Sequence, residues 1–161
     1  GLPYYATAGI SDSKRLDAQC GYESAITNLL VGMAGADFIH DAAGLMEFAF
    51  TVSLEKLVID NEILGMAQRS IRGIKVNKKT LCLDDIKEAG PGGNFVTCKS
   101  TRKYMRKDHF HPVISDRQQR SVWLDEGHKS AEDRAHEIVR ELLQEEPKIY
   151  LTSDEKKKLA I

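Results

Sequence analysis

The chain has 161 residues, of which 42% are hydrophobic and 29% charged, so one globular unit with a sizeable core is within reach and disorder is excluded as the overall state. A formal net charge of -1 removes any molecule-wide field that would recruit nucleic acid or an acidic membrane surface. Its longest apolar run, around Ala25 to Ala34, falls short of the roughly 20 residues that cross a bilayer, and Cys20, Cys82 and Cys98 lack the spacing of a disulfide framework or a zinc knuckle. A reduced, cytoplasmic setting with no membrane and no nucleic-acid partner is therefore expected.

In chain order, Gly1 to Asp41 reads as loop, helix, strand. Asp17 or Ser13 caps a helix whose apolar positions, Cys20, Ala25, Ile26, Leu29, Leu30 and Met33, are expected on one face, with Gly32 and Gly35 at its end. Ala36 to His40 follows as a short buried strand, and Ala42-Ala43-Gly44 then allows another backbone or a ligand to approach. In barrels of alternating strands and helices the chemistry sits at the C-terminal ends of the strands, which makes this stretch the first place to look for function.

Ser53 opens a second helix that runs to about Arg72 and stops at Gly73, with Asp60 and Glu62 expected to be solvated or paired with a cation such as Arg69. Lys75 to Thr80 reads as a turn or short strand, Thr80 to Glu88 as a short helix, and Gly90-Pro91-Gly92-Gly93 as a hinge. Ser100 to Lys107 is a basic helix, Gln118 to Trp123 an ambiguous polar piece, and Ser130 to Glu146 an amphipathic helix with Ala135, Ile138, Val139, Leu142 and Leu143 on one face. Pro147 ends that helix, and Thr152 or Ser153 caps a last one reaching Ile161.

His40, at a strand exit, has the chemistry to serve a substrate, a cofactor or a metal, and equally that of a hydrogen-bonded structural histidine. His109 and His111 would share a face only if extended, and no second ligand cluster accompanies them, so no metal is expected. The Gly90 to Gly93 run lacks a phosphate-loop signature. Asp12 offers half of an acid-base pair or a turn-stabilising carboxylate. Lys99, Arg102, Lys103, Arg106 and Lys107 form a basic patch suited to protein docking or to solvation.

Gly1-Leu2-Pro3, Ser11-Asp12-Ser13-Lys14 with Asp17-Ala18-Gln19, the run Ser53 to Glu62, and Gly90-Pro91-Gly92-Gly93-Asn94-Phe95, in that order and spacing, closely resemble the trimethylamine methyltransferase family. The resemblance covers nearly the whole chain and thins in the final helices. It implies an α/β fold: residues 1–73 as C-terminal strands and helices of a (β/α)8 TIM barrel, and residues 74–161 as a mostly helical C-terminal extension. It also implies transfer of a methyl group from trimethylamine to the cobalt(I) corrinoid of a partner protein, as in methanogenesis from methylamines. The expected partners are then the cognate corrinoid protein, the remainder of the barrel and further copies in a homo-oligomer.

Members of this family that act on trimethylamine carry pyrrolysine in the cleft, and this chain contains none, so it is expected to be a piece lying downstream of that residue and inactive alone. With the catalytic residue upstream, Tyr4 and Tyr5 would wall the cationic substrate, and Asp12, His40 and Asp41 would line the rim where the corrinoid enters. The corrinoid would be held by the partner, not by this chain. As part of a barrel the piece should also expose apolar surface and strand edges, and self-associate. Two other readings stand beside this one: a quaternary-amine member acting on compounds such as glycine betaine, and a non-enzymatic helical interaction module that uses the basic face of Ser100 to Lys107.

Overall fold

The structure, a computed structural model, describes residues 1–146 and 157–159. Its first unit is a strand, a helix and a second strand: β1 (Tyr5–Thr7), α1 (Ala18–Met33) and β2 (Phe38–His40). The two strands pair in parallel, Tyr5 opposite Phe38 and Thr7 opposite His40, with the helix as the crossover. Asp37 clamps the entry to this pair, its carboxylate accepting from the Tyr4 backbone N–H at 2.8 Å. A hairpin, β3 (Leu45–Met46) and β4 (Thr51–Val52), leads into α2 (Leu54–Ile71). Three short or medium helices and α6 complete the described chain: α3 (Leu83–Ala89), α4 (Lys99–Tyr104), α5 (Arg120–Asp125) and α6 (Ala131–Gln144). α1 packs on α2, and α2 on α6.

The capping signals act as expected. Asp17 accepts from the Cys20 N–H, which holds its carboxyl below the ordinary range, Ser13 adding to the effect. Ser53 accepts from the Lys56 N–H. Ser130 and Asp133 satisfy each other's backbone reciprocally at the start of α6. Gly73, at a φ of 65°, closes α2. The basic helix is shorter than expected, ending at Tyr104, and the polar piece after Gln118 is helical. The helix expected after Thr152 or Ser153 lies, apart from residues 157–159, outside the described residues.

Three expectations are corrected. The buried face of α1 is Cys20, Ser24 and Asn28, while Ile26, Leu30 and Met33 are exposed together with Tyr22. The expectation rests on apolar residues alone, whereas the face toward α2 carries Ser24, which donates to Asp60 of α2, and Asn28, which donates to the Ser24 and Ala42 carbonyls. The short strand is also not buried throughout, since Phe38 is 59% exposed. Finally, Asp60 and Glu62 are buried and not solvated; Asp60 does pair with a cation, but that cation is Lys56, and Arg69 donates to the Asp108 and Gly73 carbonyls instead.

The β3–β4 hairpin escaped the sequence because its turn contains no glycine. Glu47, Phe48 and Ala49 all take the left-handed backbone conformation, at φ values of 50°, 55° and 69°. Three such residues in a row store strain at the tip. The Phe48 ring lies 4.9 Å from Lys14 Nζ, so the strained tip rests on the loop that follows β1.

Candidate functional site at the strand exits

The loops leaving β1 and β2 are locked to each other and to both long helices. Lys56, fully buried, donates to the Gly9 carbonyl at 2.8 Å and pairs with Asp60 one turn along α2. Asp60, 1% exposed, also accepts from Ser24 Oγ at 2.7 Å and from the Gly44 N–H at 2.8 Å. Asn28 reaches from α1 to the Ala42 carbonyl at 3.0 Å. Gly9 sits so close to Ala42 that a Cβ would meet the Ala42 carbonyl oxygen at 2.2 Å, and its φ of +81° excludes most side chains in any case. A buried ion pair is expensive to desolvate and is tolerated where every remaining lone pair finds a donor. Here Asp60 accepts from Ser24 of α1 and from the Gly44 N–H, and Lys56 donates to the Gly9 carbonyl, so the pair fixes both exit loops.

The polar loop between Gly9 and Asp17 is held by α1. Glu23 accepts from Ser11 Oγ at 2.7 Å, from the Asp12 N–H at 3.0 Å and from Gln19 at 2.9 Å. The Ser11 hydroxyl bond, followed by that of Gln19, keeps the Glu23 carboxyl below its ordinary range. Thr27 accepts from the Gly9 N–H at 3.0 Å. Cys20 lies beneath this loop, and burial pushes its thiol pKa up, so it is a packed group and not an activated nucleophile.

Above this base, one face of the parallel pair is aromatic. The Tyr5 ring stacks on Phe38 with centroids 5.2 Å apart and planes 5° from parallel, and on His40 at 4.7 Å and 13°. His40 Nε2 lies 2.8 Å from Asp41 Oδ2, which orients the imidazole. Nδ1 is buried and has no hydrogen-bond partner among the described residues. Asp41 holds this position in the left-handed conformation, at a φ of 57°.

Of the expected site residues, Tyr5, His40 and Asp41 therefore meet. Tyr4 precedes β1, and its ring is half exposed. Asp12 lies on the other exit loop, and no hydrogen bond or ion pair among the described residues joins it to the aromatic face. Phe38, Glu23, Lys56 and Asp60 went unnoticed as contributors. The signal for the last two was present: Ser24 and Asn28 on α1, and Lys56 and Asp60 on α2, are polar pairs at a spacing of four, each on one face of its helix.

The arrangement defines an α/β protein whose candidate site lies at strand exits, with an aromatic and acidic surface suited to a cation. A family model described as trimethylamine methyltransferase (MTTB) matches residues 1–160, and the chain belongs to that family. It is 34% identical over 143 residues to a glycine betaine methyltransferase of Desulfitobacterium hafniense (strain Y51), covering 89% of this chain and 30% of the relative. It is 38% identical over 143 residues to the trimethylamine methyltransferase MttB of Methanosarcina barkeri, covering 89% of this chain and 28% of the relative. It is 39% identical over 144 residues to the trimethylamine methyltransferase MttB2 of Methanosarcina mazei, again 89% and 28%. The chain thus spans less than a third of the length of the curated relatives it matches.

Proposed function

We propose that this chain is the C-terminal portion of a trimethylamine:corrinoid protein methyltransferase, a (β/α)8 barrel in which residues 1–73 supply barrel strands and helices and residues 74–161 an extension. The observation that carries the reading is the stacked Tyr5, Phe38 and His40 face beside Asp41, set where two parallel strands end. A methylated ammonium has little hydrogen-bonding capacity, so stacked rings and a nearby carboxylate are what recognise it, by cation–π attraction worth about 0.5–2 kcal/mol.

The corrinoid is held by the partner protein and, when docked, supplies the nucleophile that accepts the methyl group. What this chain contributes is binding, orientation and a fixed rim. Tyr5 and Phe38 wall the substrate, Asp41 sets the His40 ring, and the Lys56–Asp60 pair holds the loops at the entrance. The pyrrolysine that this activity requires is not among the 161 residues, so the proposal places it elsewhere in the full-length protein and leaves the chain alone inactive. The protein is cytoplasmic in this reading.

A second reading has its own observation, the 34% identity to a glycine betaine methyltransferase. Both are tested by mixing the full-length protein with its reduced corrinoid protein and following methylation by absorbance, with trimethylamine or glycine betaine as donor. Methylation from trimethylamine alone is expected. Methylation from glycine betaine alone selects the second reading, and methylation from neither overturns both.

A further inference from the structure

Cys82 and Cys98 stand at matching places in the fold. Cys82 immediately precedes α3 and Cys98 immediately precedes α4, and the two helix starts are joined. The Asp85 carboxylate, in the first turn of α3, accepts from the Ser100 N–H, in the first turn of α4, at 3.1 Å. That bond gives α4 the acceptor that a serine or aspartate at position 98 would supply, since neither cysteine caps its own helix. Both thiols are partly exposed, whereas Cys20 is buried. The Cys98 thiol pKa is pushed up by partial burial first and then by Asp85, Glu88 and Cys82, so the second sulfur is among the groups close enough to act on it. Among the described residues, no group of three histidine, cysteine or carboxylate side chains could hold a metal, so the pair is not half of such a site. The fifteen residues between the cysteines contain Gly90-Pro91-Gly92-Gly93, where Gly90 and Gly92 take positive φ values of 64° and 73°. That bend returns the chain on itself and lets the two helix starts meet.

We propose that Cys82 and Cys98 are a redox modification site: a reversible disulfide between them clasps the starts of α3 and α4 and closes the glycine-rich loop. The oxidant is a low-molecular-weight disulfide. One cysteine thiolate attacks it, forming a mixed disulfide and releasing one small thiol; the other thiolate then attacks the protein sulfur of that mixed disulfide and releases the second. The two protein thiols give up two electrons and two protons, which leave in the two small thiols. In a reducing setting such a bond is transient, which suits a switch and not a framework. Its effect is local. α3 has seven residues and α4 six, too few to hold without a tether, and the closed loop supplies one.

The test equilibrates the full-length protein, without oxygen, in mixtures of reduced and oxidised glutathione, followed by acid quench, alkylation and peptide mapping by mass. The expected product is a peptide pair linked through Cys82 and Cys98, about tenfold or more above the glutathione adducts of either and lost on reduction with dithiothreitol. Cys82→Ser should leave Cys98 only as thiol or adduct, and Cys98→Ser should do the same for Cys82. In the linked form, amide exchange at Ile86 and Arg102, whose N–H groups bond to the Cys82 and Cys98 carbonyls, should slow by about threefold or more. Adducts without the linked pair, thiols that stay unmodified, linkage of either cysteine to a different one, or unchanged exchange at both amides each overturns the proposal.

Discussion

Replacing Glu62 by glutamine should release the loop from Pro112 to Gln118 without unfolding the protein around it. Glu62 is buried on α2, and its carboxylate accepts from the backbone N–H groups of Val113 at 2.6 Å, Ile114 at 2.5 Å and Ser115 at 2.9 Å, and from Ser115 Oγ at 2.5 Å. Burial works to raise its pKa, but the Ser115 hydroxyl and the three N–H groups together outweigh it and hold the carboxyl below the ordinary value. A glutamine keeps one acceptor and turns an NH2 toward the remaining donors. Charge-assisted bonds contribute about 1.5–3 kcal/mol each, not additively, so a net loss of about 3 kcal/mol is expected. Read by amide hydrogen exchange in the full-length protein, that is on the order of a hundredfold faster exchange at Val113 to Ser115. Because the folded pKa is lowered, the stabilisation is present above the unfolded value of about 4.3 and is lost as pH falls through the folded value. The wild-type loop should therefore lose protection in acid, while the Glu62→Gln loop should show little pH dependence from this group. Equal exchange at these amides in both proteins would refute the reasoning.

Lys56→Met should destabilise the full-length protein by about 3–5 kcal/mol in denaturant titrations, because it strands the Asp60 carboxylate in a buried site; adding Asp60→Leu should recover part of that loss, while the exit loops at Gly9 and Gly44 stay loosened in hydrogen exchange. Ala49→Gly should raise stability by about 0.5–1 kcal/mol, seen as a higher melting temperature, because glycine relieves the left-handed strain at the hairpin tip. Tyr5→Ala should raise the apparent KM for the methylated amine by about threefold or more, the loss of roughly one cation–π contact, whereas Tyr4→Ala should change it little because the Tyr4 ring is not part of the stack. Equal effects of the two tyrosine substitutions would remove the aromatic face from the proposed site.

Local chemistry was legible from the sequence wherever one residue decides the outcome. Asp17, Ser53 and Ser130 announce helix starts because a short acceptor before an apolar run has one good use, and Gly73 announces a stop for the same kind of reason. His40 and Asp41 could be placed at a strand exit because the run before them is apolar and the run after them is small. What failed was inference from periodicity about what each face touches. Ile26, Leu30 and Met33 mark an apolar face of α1 correctly, but α2 packs on the face that carries Ser24 and Asn28. Which of two faces is covered is a tertiary fact. The hairpin was missed because left-handed backbone at Glu47, Phe48 and Ala49, in a turn without glycine, has no propensity signal of its own.

The same observation bears on how the chain is built to be used. Tyr22, Ile26, Leu30 and Met33 expose one side of α1, and the parallel pair leaves the outer edges of β1 and β2 without strand neighbours among the described residues. In a chain that spans less than a third of its relatives, those are the surfaces against which the rest of a barrel would lie. The groups that fix the exit loops are, by contrast, all internal to the chain: Ser24 and the Gly44 N–H donate to Asp60, Lys56 donates to the Gly9 carbonyl, and Asn28 donates to the Ala42 carbonyl. The geometry of the exit loops is thus encoded locally, within this chain. Perturbing the α1 stripe should therefore weaken packing against the rest of the full-length protein while leaving the Tyr5–His40 stack intact, and perturbing Asp60 should do the reverse.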